Sequence, residues 1–568
     1  MTAAADRSSA VLVRAGLILT ATGVVSASSV RHAIDEGGDI VFAYGFLLYL
    51  ILILAAVPRR PIRYASLLAF AAFAAMYLTA TADPHVFDPG LSLYIVAAGL
   101  AYIVTPARYR TLAVAAFALW TPALRFFSGD PFVGEYPISN AIAGILALFF
   151  LVVVLVVRDD VDDEERIRRI GLGLLTVATF ARISERHYVV SSPGVFAPDD
   201  LWALVVVAVL PILAIVKIRR PVRDALATGV ALGAYVLVGT VLILGKSYHV
   251  DSVAVVHQAA DIVVAGHDPY MDLDVVQALK HFGLDPALAT HLEDGSDVTT
   301  YNYPALSFLV PAPFVALGLR DIRFVYLAEI VALSLLLIRE VRVPWRPLVT
   351  AAIVGNSIIM RQNVLAGVDP LWAILTVLAF LFIARRWTSP ILIGLACATR
   401  QPAWFFIPFY AVAVWKRDGR REALRRLGIA AVAGAIPNVP FFIHSPGSFL
   451  GGVLMPTLGP LEPYGVGLIR FGIDGEIPLL ARGAYGLLSI AVLVALLVLL
   501  WRAWRRLPNG TLVFPSTILW FAWRSLQNYF SFAGVFAMAG DEGIVAGDDL
   551  VTSQSSGAMR SGTIPDSD

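Results

Sequence analysis

Apolar residues along this chain occur in long continuous runs, and short clusters of Lys and Arg separate one run from the next. Runs of roughly 17–25 apolar residues are long enough to cross a bilayer as helices, whereas barrel strands would alternate apolar and polar positions. The pattern predicts an all-α, polytopic membrane protein with about 13–16 transmembrane helices. The candidate spans are 11–29, 39–57, 64–82, 90–105, 111–127, 136–157, 170–184, 200–217, 224–245, 303–319, 322–338, 369–385, 427–443 and 481–501.

Three further apolar stretches have a less regular pattern. Gly, Pro, Asn and Arg interrupt 347–360 and 391–415, which predicts short or re-entrant helices there. The stretch 511–539 is long enough for one long span or two short ones. Short loops rich in Lys and Arg stay in the cytoplasm, which places the N-terminus inside and the long loops 246–302 and 445–480 on the outer face.

Loop length and composition divide the chain into three parts. Residues 1–223 have short loops and form a predicted N-terminal transmembrane module of about eight spans. Residues 224–540 form a predicted core that carries both outer loops. Residues 541–568 are rich in Gly, Ser and Asp with little apolar content, which predicts a disordered tail.

Composition then removes several classes of function. Only 15% of the 568 residues are charged, where a soluble domain has about 25%, and the net charge of +1 gives no reason to expect nucleic acid as a partner. A single cysteine excludes a disulfide framework. Walker A, dinucleotide-binding, zincin and serine-hydrolase motifs are absent, so the sequence predicts no cofactor. We therefore expect a multi-pass protein of the plasma membrane, with membrane lipids around it.

The acidic, histidine-rich loop 246–302 is the main polar stretch between predicted spans. Asp251 stands just beyond a span, where it could serve as a catalytic base or simply cap the following amphipathic helix, which Gly266 would end. Within that helix, His257 and Asp261 are four residues apart, a spacing that suits either two metal ligands or a hydrogen-bonded surface pair. The surface pair is the simpler interpretation, and no metal site is predicted.

Four arginines interrupt apolar sequence in the second half of the chain. Charged residues at membrane depth are costly and are usually paired or functional, and a guanidinium binds phosphate through two parallel hydrogen bonds. These arginines could hold a lipid phosphate or pyrophosphate, or their side chains could extend to the membrane interface. They are Arg361, Arg400, Arg470 and Arg524.

The order of features after residue 224 resembles glycosyltransferase family 87, whose members include polyprenyl-phosphate-mannose-dependent α-mannosyltransferases of the GT-C superfamily. The resemblance covers roughly 224–540 and comprises an Asp after a span, a short helix, a Gly-x-x-Pro-Tyr turn and a Tyr-x-Tyr-Pro start to the next span. The matching residues are Asp251, Gly266, Pro269, Tyr270, Tyr301, Tyr303 and Pro304, followed by the pair Gln362 and Asn363 and by the basic position Arg400.

The resemblance implies a GT-C-like core and transfer of a hexose, mannose in the family, from a polyprenyl-phosphate sugar to a lipid-linked or cell-envelope glycan. Asp251 would be the general base, and the loops 246–302 and 445–480 would cover the site. Ala305 departs from the family pattern, which has a second proline there. The residues expected to contact substrate are Tyr270, Tyr301, Tyr303, Gln362, Asn363, Arg361, Arg400, Arg470 and Arg524.

Two other interpretations fit the same sequence. Interrupted helices and intramembrane arginines are also typical of a transporter or flippase for lipid-linked glycans. Alternatively, residues 1–223 could be an assembly module attached to an enzyme that lies wholly in the second half of the chain.

Overall fold

The computed structural model describes residues 220–539, with gaps at 355, 357–358, 466, 474–476, 505–509, 533–534 and 537–538. Five isolated positions upstream are described as well: Arg168, Gly171, Leu172, Leu175 and Thr179. The spans predicted before residue 220, most of the N-terminal module 1–223 and the predicted tail 541–568 lie outside the described residues.

Helices dominate the described part of the chain. Up to residue 354 they are α1 (Arg220–Gly245), α2 (Asp251–Val264), α3 (Pro269–Asp272), α4 (Val275–His281), α5 (Leu306–Leu309), α6 (Ala312–Ala316), α7 (Arg323–Glu340) and α8 (Arg346–Val354). A π-helix (Ile359–Leu365) follows, and then α9 (Leu371–Leu381), α10 (Thr388–Cys397), α11 (Ile407–Asp418), α12 (Arg420–Ala435), α13 (Val439–His444), α14 (Pro446–Leu458), α15 (Leu468–Ile473), α16 (Arg482–Ala503) and α17 (Gly510–Trp520). Short 3₁₀ helices cover Pro286–Leu288, Val343–Trp345, Gln401–Phe406 and Gln527–Tyr529, and two strands, β1 (Tyr464–Gly465) and β2 (Arg524–Ser525), pair in parallel.

Two helices in the described residues are long and apolar enough to cross a membrane: Asp224–Gly245 within α1, and α16. A third span would result if α8 and the π-helix, which meet at a bend of 62°, count as one broken span. Large apolar side chains of α16 are exposed along its length, among them Leu487, Ile490 and Val494. An apolar helix that the protein leaves uncovered is the arrangement expected where the neighbour is lipid.

The predicted spans 224–245 and 481–501 coincide with these two helices, and the interruptions predicted at 347–360 and 391–415 are present. The predicted span 322–338 is one continuous helix, α7, and three other predicted spans are shorter or divided. The stretch 303–319 forms α5 and α6, 369–385 contains the short helix α9, and 427–443 is split between α12 and α13.

The split after α12 has a specific cause. Asn438 donates from Nδ2 to the carbonyl of Gly434 and accepts at Oδ1 from the amide of Ala305, at 2.8 and 2.9 Å. One side chain thus satisfies a carbonyl at the end of α12 and an amide at the start of α5. Pro437 and Pro440 at the break also lack the amide hydrogens that would continue α12, and the prediction, which counted apolar residues, treated 427–443 as continuous.

The loop 246–302 is a packed unit rather than an extended connector. It has its own apolar cluster, which we call the loop core, with contributions from α2 to α6 and from α14. Larger members of this cluster are Tyr270, Tyr301, Phe308 and Phe449. The separate bundle core lies among α1, α7 to α11 and α17, around Trp345, Trp372, Phe406 and Tyr410.

The predicted helix after Asp251 is present, and it ends as expected at Gly266, whose φ of +85° suits glycine. Its first turns, however, do not lie on a surface as an amphipathic helix would. Residues on every side of α2 between Ser252 and His257 are buried. The start of α2 is therefore held inside the protein, which fixes the position of its first residue, Asp251.

Close helix packing holds the elements on the other side of the site. A side-chain carbon at Gly394 of α10 would lie only 2.2 Å from the carbonyl oxygen of Ala430 in α12. One turn later, a carbon at Gly434 would approach the carbonyl of Gly394 to 2.9 Å. Small residues at these positions let two backbones come into contact, as they do between helices in membranes.

Candidate functional site

Asp251 is the first residue of α2, and the cap position belongs to Val250, whose side chain makes no cap hydrogen bond. Asp251 therefore does not act as the usual N-cap, the structural alternative that its sequence position allowed. The short segment between α1 and α2 is anchored by Arg323, which donates to the carbonyls of Ile243 and Lys246 and pairs with Asp321 at 2.6 Å.

The carboxylate of Asp251 accepts a hydrogen bond from Thr290 Oγ1 to Oδ2, at 3.2 Å, across the loop 246–302. Burial raises the pKa of the Asp251 carboxyl above its ordinary value, while Thr290 and the positive charges of Arg524 and Arg400 act in the opposite direction. A carboxylate with a raised pKa is a stronger base than an exposed one. The guanidinium groups of Arg524 and Arg400, which act on Asp251, could also bind an anion beside this carboxylate.

Arg400 occupies the break between α10 and the 3₁₀ helix Gln401–Phe406, with extended backbone. Only 5% of the residue is exposed, and its Cζ lies 4.0 Å from the centroid of the Tyr303 ring. The buried Nε and Nη2 have no hydrogen-bond partner among the residues that the structure describes. Unpaired buried donors of a charged group are costly, so these two atoms are suited to an incoming oxyanion.

Two buried acids lie on the other side of Arg400. Asp369 precedes α9, is 2% exposed, interacts electrostatically with Arg400 and accepts a hydrogen bond from the Leu371 amide at 2.8 Å. Glu329 of α7 interacts with Asp369, and its buried Oε2 has no partner within the described ranges. The sequence prediction missed both, although the argument applied to intramembrane arginines applies equally to acids in apolar runs.

Arg524 reaches the site from the far end of the described chain. It lies in β2 opposite Tyr464 of β1, its Nη1 donates to the Glu462 carbonyl at 3.0 Å, and its charge acts on Asp251 and on Tyr303. The positive charges of Arg400 and Arg524 therefore both act on Asp251, and the assignment of the three residues to one substrate site stays a prediction.

The three tyrosines of the predicted site have different positions. Tyr270 donates from its hydroxyl to the Tyr303 carbonyl at 2.8 Å, and the hydroxyl of Tyr301 shares a 2.6 Å hydrogen bond with Ser307. Tyr301 is fully buried in the loop core. Tyr270 and Tyr301 therefore hold the segment that carries Tyr303, and Tyr303 is the one that stacks on Arg400.

Gln362 and Asn363 lie in the π-helix and shape the loop that follows. The Gln362 carbonyl accepts from the Val368 amide, and Asn363 Nδ2 donates to the Val368 carbonyl, each at 2.9 Å. Within that loop Gly367 has a φ of +66°, and its carbonyl accepts from Ser252 Oγ at 3.3 Å. A side chain at Gly367 would collide with α2. The pair positions the loop beside Asp251, a supporting role that the prediction of substrate contact did not include.

For Arg361 and Arg470 the described contacts are those of the backbone, and their predicted role in binding substrate stays a prediction. Arg361 is in the π-helix, where its carbonyl accepts from the Ala366 amide, and Arg470 is in α15, where its amide donates to the Gly467 carbonyl. The leading charges on Asp251 come from Arg524 and Arg400. We therefore build the site on those two arginines.

The two predicted outer loops contact each other above this cluster. Leu292 of the first loop and Leu461 of the second form an antiparallel bridge, and the Glu293 amide donates to the Pro460 carbonyl at 2.7 Å. Arg482, which follows the second loop, lies 3.6 Å from the Glu293 carboxylate. The loops 246–302 and 445–480 thus form one connected layer.

A second connection runs through Asp268, which caps α3 by accepting from the Tyr270 amide at 3.0 Å. Its other oxygen accepts from Ser445 Oγ and pairs with His444 Nδ1, both at 2.8 Å. The Gly-x-x-Pro-Tyr turn is therefore fastened to the start of α14, which gives this turn a structural purpose.

The histidines of the loop are structural or peripheral where the structure describes them. His257 is buried, pairs through Nδ1 with the Tyr248 hydroxyl at 2.9 Å and stacks on Phe282 at 4.8 Å. Burial lowers the pKa of His257, which favours a neutral ring. In the described part of the chain, no group of three or more His, Cys, Asp or Glu side chains could hold a metal ion.

Comparison with known proteins adds no relative to this geometry. No protein-family model matches the chain, and no curated protein or solved structure matches it either. The functional argument therefore depends on the site itself: a carboxylate with a raised pKa, two arginines whose charges act on it, and the Tyr303 ring that stacks on one of them.

Proposed function

We propose that the chain is a membrane glycosyltransferase that moves a hexose from a polyprenyl phosphate to a lipid-linked or cell-envelope glycan. The observation that supports this most is the combination of Asp251 with Arg400. One group is a carboxylate with a raised pKa, and the other is a buried guanidinium whose Nε and Nη2 have no hydrogen-bond partner among the described residues. A glycosyl transfer from a lipid phosphate needs one base and one anion-binding group, and both are present.

The chemistry divides between these residues as follows. The acceptor hydroxyl oxygen attacks the anomeric carbon, its proton passes to the Asp251 carboxylate, and the bond from the anomeric carbon to the phosphate oxygen breaks. The departing lipid phosphate gains negative charge, which Arg400 and Arg524 stabilise. Attack from the face opposite the leaving group inverts the anomeric centre, and a single carboxylate is sufficient for such a step.

The connected layer formed by the two outer loops serves the same reaction. A transfer enzyme must keep water from replacing the acceptor, and excluding water also strengthens the attraction between phosphate and guanidinium. The Leu292–Leu461 bridge and the Asp268–Ser445 hydrogen bond hold the layer over the start of α2.

The direct test uses the full chain in membrane vesicles supplied with a polyprenyl phosphate that carries a radiolabelled hexose, with mannose first. We expect label to appear in a glycosidic product that survives mild acid, which cleaves the sugar phosphate of the donor. Labelled donor that crosses the vesicle membrane without sugar transfer, for every hexose tried, would contradict the proposal.

The hydrogen bond from Thr290 provides a finer test through pH. Because this bond lowers the pKa of Asp251, Thr290→Val should raise that pKa further. Transfer needs the ionised base, so the acid limb of the rate profile should shift to higher pH in the variant, while the plateau at high pH changes much less. The rate is measured between about pH 4 and 8, the window around the ordinary carboxyl and histidine values.

Thr299→Val provides the matched control for this measurement, because Thr299 is an exposed threonine of the same loop. The control should leave the acid limb in place. An acid limb that stays unchanged in Thr290→Val as well would show that Asp251 does not control the rate.

A second function has one observation in its favour. The 62° bend between α8 and the π-helix is the kind of discontinuous helix on which flippases and transporters build their sites. In that case Arg400 would hold a lipid phosphate in transit, and Asp251 would carry no proton from an acceptor. Vesicles that translocate a lipid-linked glycan equally well with Asp251→Asn would favour this second function.

A further inference from the structure

A compact group of tryptophans and basic residues lies at one end of the helices α9 to α12 and α16. This end is the one remote from Asp251. α9 begins near Asp369 beside the site and is followed by Arg385, whereas α10 begins at Thr388 and ends before Arg400. The group is therefore separated from the site by about the length of one of these helices, because α9 leads away from the site and α10 leads back to it. We call it the tryptophan–arginine belt: Arg386, Trp387, Trp415, Lys416, Arg420, Arg421, Arg425 and Trp501.

Direct contacts make the belt one surface. Lys416 Nζ lies 3.7 Å from the centroid of the Trp501 ring, and the rings of Trp415 and Trp501 meet at 5.3 Å. Arg425 lies 4.8 Å over Trp387 and donates to the Arg386 carbonyl at 3.1 Å. In the Lys416–Trp501 and Arg425–Trp387 pairs, a cation lies over an aromatic face, which attracts it electrostatically.

The tryptophans of the belt are unusually open for such large apolar side chains. Trp387 is 65% exposed, Trp415 is 43% exposed and Trp501 is 39% exposed. Trp501 lies in the last turn of α16, one of the two helices able to cross a membrane. Exposed tryptophans at the end of such a helix belong at the level of the lipid headgroups.

Two acidic residues beside the belt, Glu422 and Asp418, already form ion pairs with arginines. Glu422 receives Arg425 and Arg426, at 2.7 and 2.9 Å, and these contacts lower its pKa to about 2, so it stays ionised. Asp418 accepts from Arg426 Nη2 at 2.7 Å. Arg420 and Arg421 are exposed at the start of α12 and have no acidic partner among the described residues.

From this surface we infer a binding site for the anionic headgroup of a membrane lipid, such as a phosphatidylglycerol, at the headgroup layer where α16 ends. The exposed arginines supply charge for the phosphate, and the tryptophans insert between headgroup and acyl chain. A lipid is the appropriate partner because the surface combines unpaired cations with open aromatic rings at the end of a membrane-crossing helix. The inference does not depend on the proposed glycosyl transfer.

The test measures lipid selectivity of the full chain in mild detergent. The protein is mixed with phosphatidylglycerol and phosphatidylcholine of the same acyl chains, and the bound lipids are counted by native mass spectrometry. Wild type should prefer phosphatidylglycerol by about tenfold or more, and Arg420→Gln with Arg421→Gln should reduce the preference at least severalfold. The matched control, Lys280→Gln with Arg320→Gln, removes two exposed cations outside the belt and should keep the preference.

The paired variant should remain folded. Cations at a helix N-terminus are disfavoured by the helix dipole, so neutral residues at Arg420 and Arg421 do not weaken α12. Equal binding of both lipids by wild type, or an unchanged preference in the paired variant with a normal unfolding temperature, would overturn the inference. Displacement of the lipid by millimolar glycerol phosphate would also overturn it, because the surface would then recognise a soluble phosphate.

Discussion

Replacing Asp251 by Asn should abolish most transfer activity and should also stabilise the protein near neutral pH. A general base contributes about 10²–10⁴ to the rate, so we expect kcat to fall by that factor. Activity falls and stability rises because both depend on the ionised form of the same carboxylate. Its ionised form is what the reaction needs, and the same ionised form is what burial opposes.

The effect on stability follows from the direction of the pKa shift. The folded protein raises the pKa of Asp251 above the value of about 3.9 in an unfolded chain, so ionisation of this group costs stability. That cost is absent below the unfolded pKa and appears as the pH rises through the folded pKa. Asn removes it, so the unfolding temperature of Asp251→Asn should exceed that of wild type at pH 7 and should approach it at low pH.

Asp261→Asn is the matched control for this comparison. Asp261 is a partly exposed carboxylate of the same helix, ten positions further along, and its replacement should leave the transfer rate close to that of wild type. A variant Asp251→Asn that keeps its activity, or that unfolds at a lower temperature while remaining active, would show that this carboxylate only stabilises α2.

The second large effect is expected at Arg400. Arg400→Gln should lower kcat by about 10²–10³, the usual result of removing a group that stabilises charge in the transition state. Lysine should restore little, because an ammonium group lacks the planar fork that holds two phosphate oxygens. The measurement is the single-turnover rate with a labelled polyprenyl-phosphate sugar.

Loss of stability could imitate this effect, and Asp369 provides the means to separate the two. Removing the guanidinium leaves the buried Asp369 carboxylate without its compensating charge, at a cost on the order of a few kcal/mol. The double variant Arg400→Gln with Asp369→Asn removes both charges and should recover most of the unfolding temperature. Recovery of activity together with stability would mean that Arg400 has only a structural role.

The coarse features of the fold were accessible from the sequence because they depend on local composition. Continuous apolar runs predicted helices, and α1 and α16 begin and end within a few residues of their predictions. The interruptions at 347–360 and 391–415 were predicted from Gly, Pro, Asn and Arg, and α8, the π-helix and α10 confirm them. The predictions for residues 1–167 stay predictions, because those residues lie outside the described part of the chain.

The site was only partly predictable. There is a physical reason why the sequence pointed to some of its residues and not to others. Asp251, Arg400 and Arg524 were found because a charge in or beside an apolar run is anomalous whatever its partners are. Asp369 was missed although the same argument applies to it, whereas the roles of Thr290 and Tyr301 depend on which distant segments meet. A threonine in a polar loop and a tyrosine at the start of a span have no unusual local composition, so only the folded geometry reveals what they do.

The shortness of α9 and α10 has a consequence for the membrane itself. At about 1.5 Å of rise per residue, these helices are roughly 15–17 Å long, about half of a hydrocarbon core of about 30 Å. A bilayer beside a short hydrophobic stretch becomes locally thinner, so that the thickness of its hydrocarbon core matches the length of that stretch. Under the proposed function, we expect such thinning beside these helices to draw the headgroup layer inwards, and with it the phosphate of a carrier lipid that approaches Arg400.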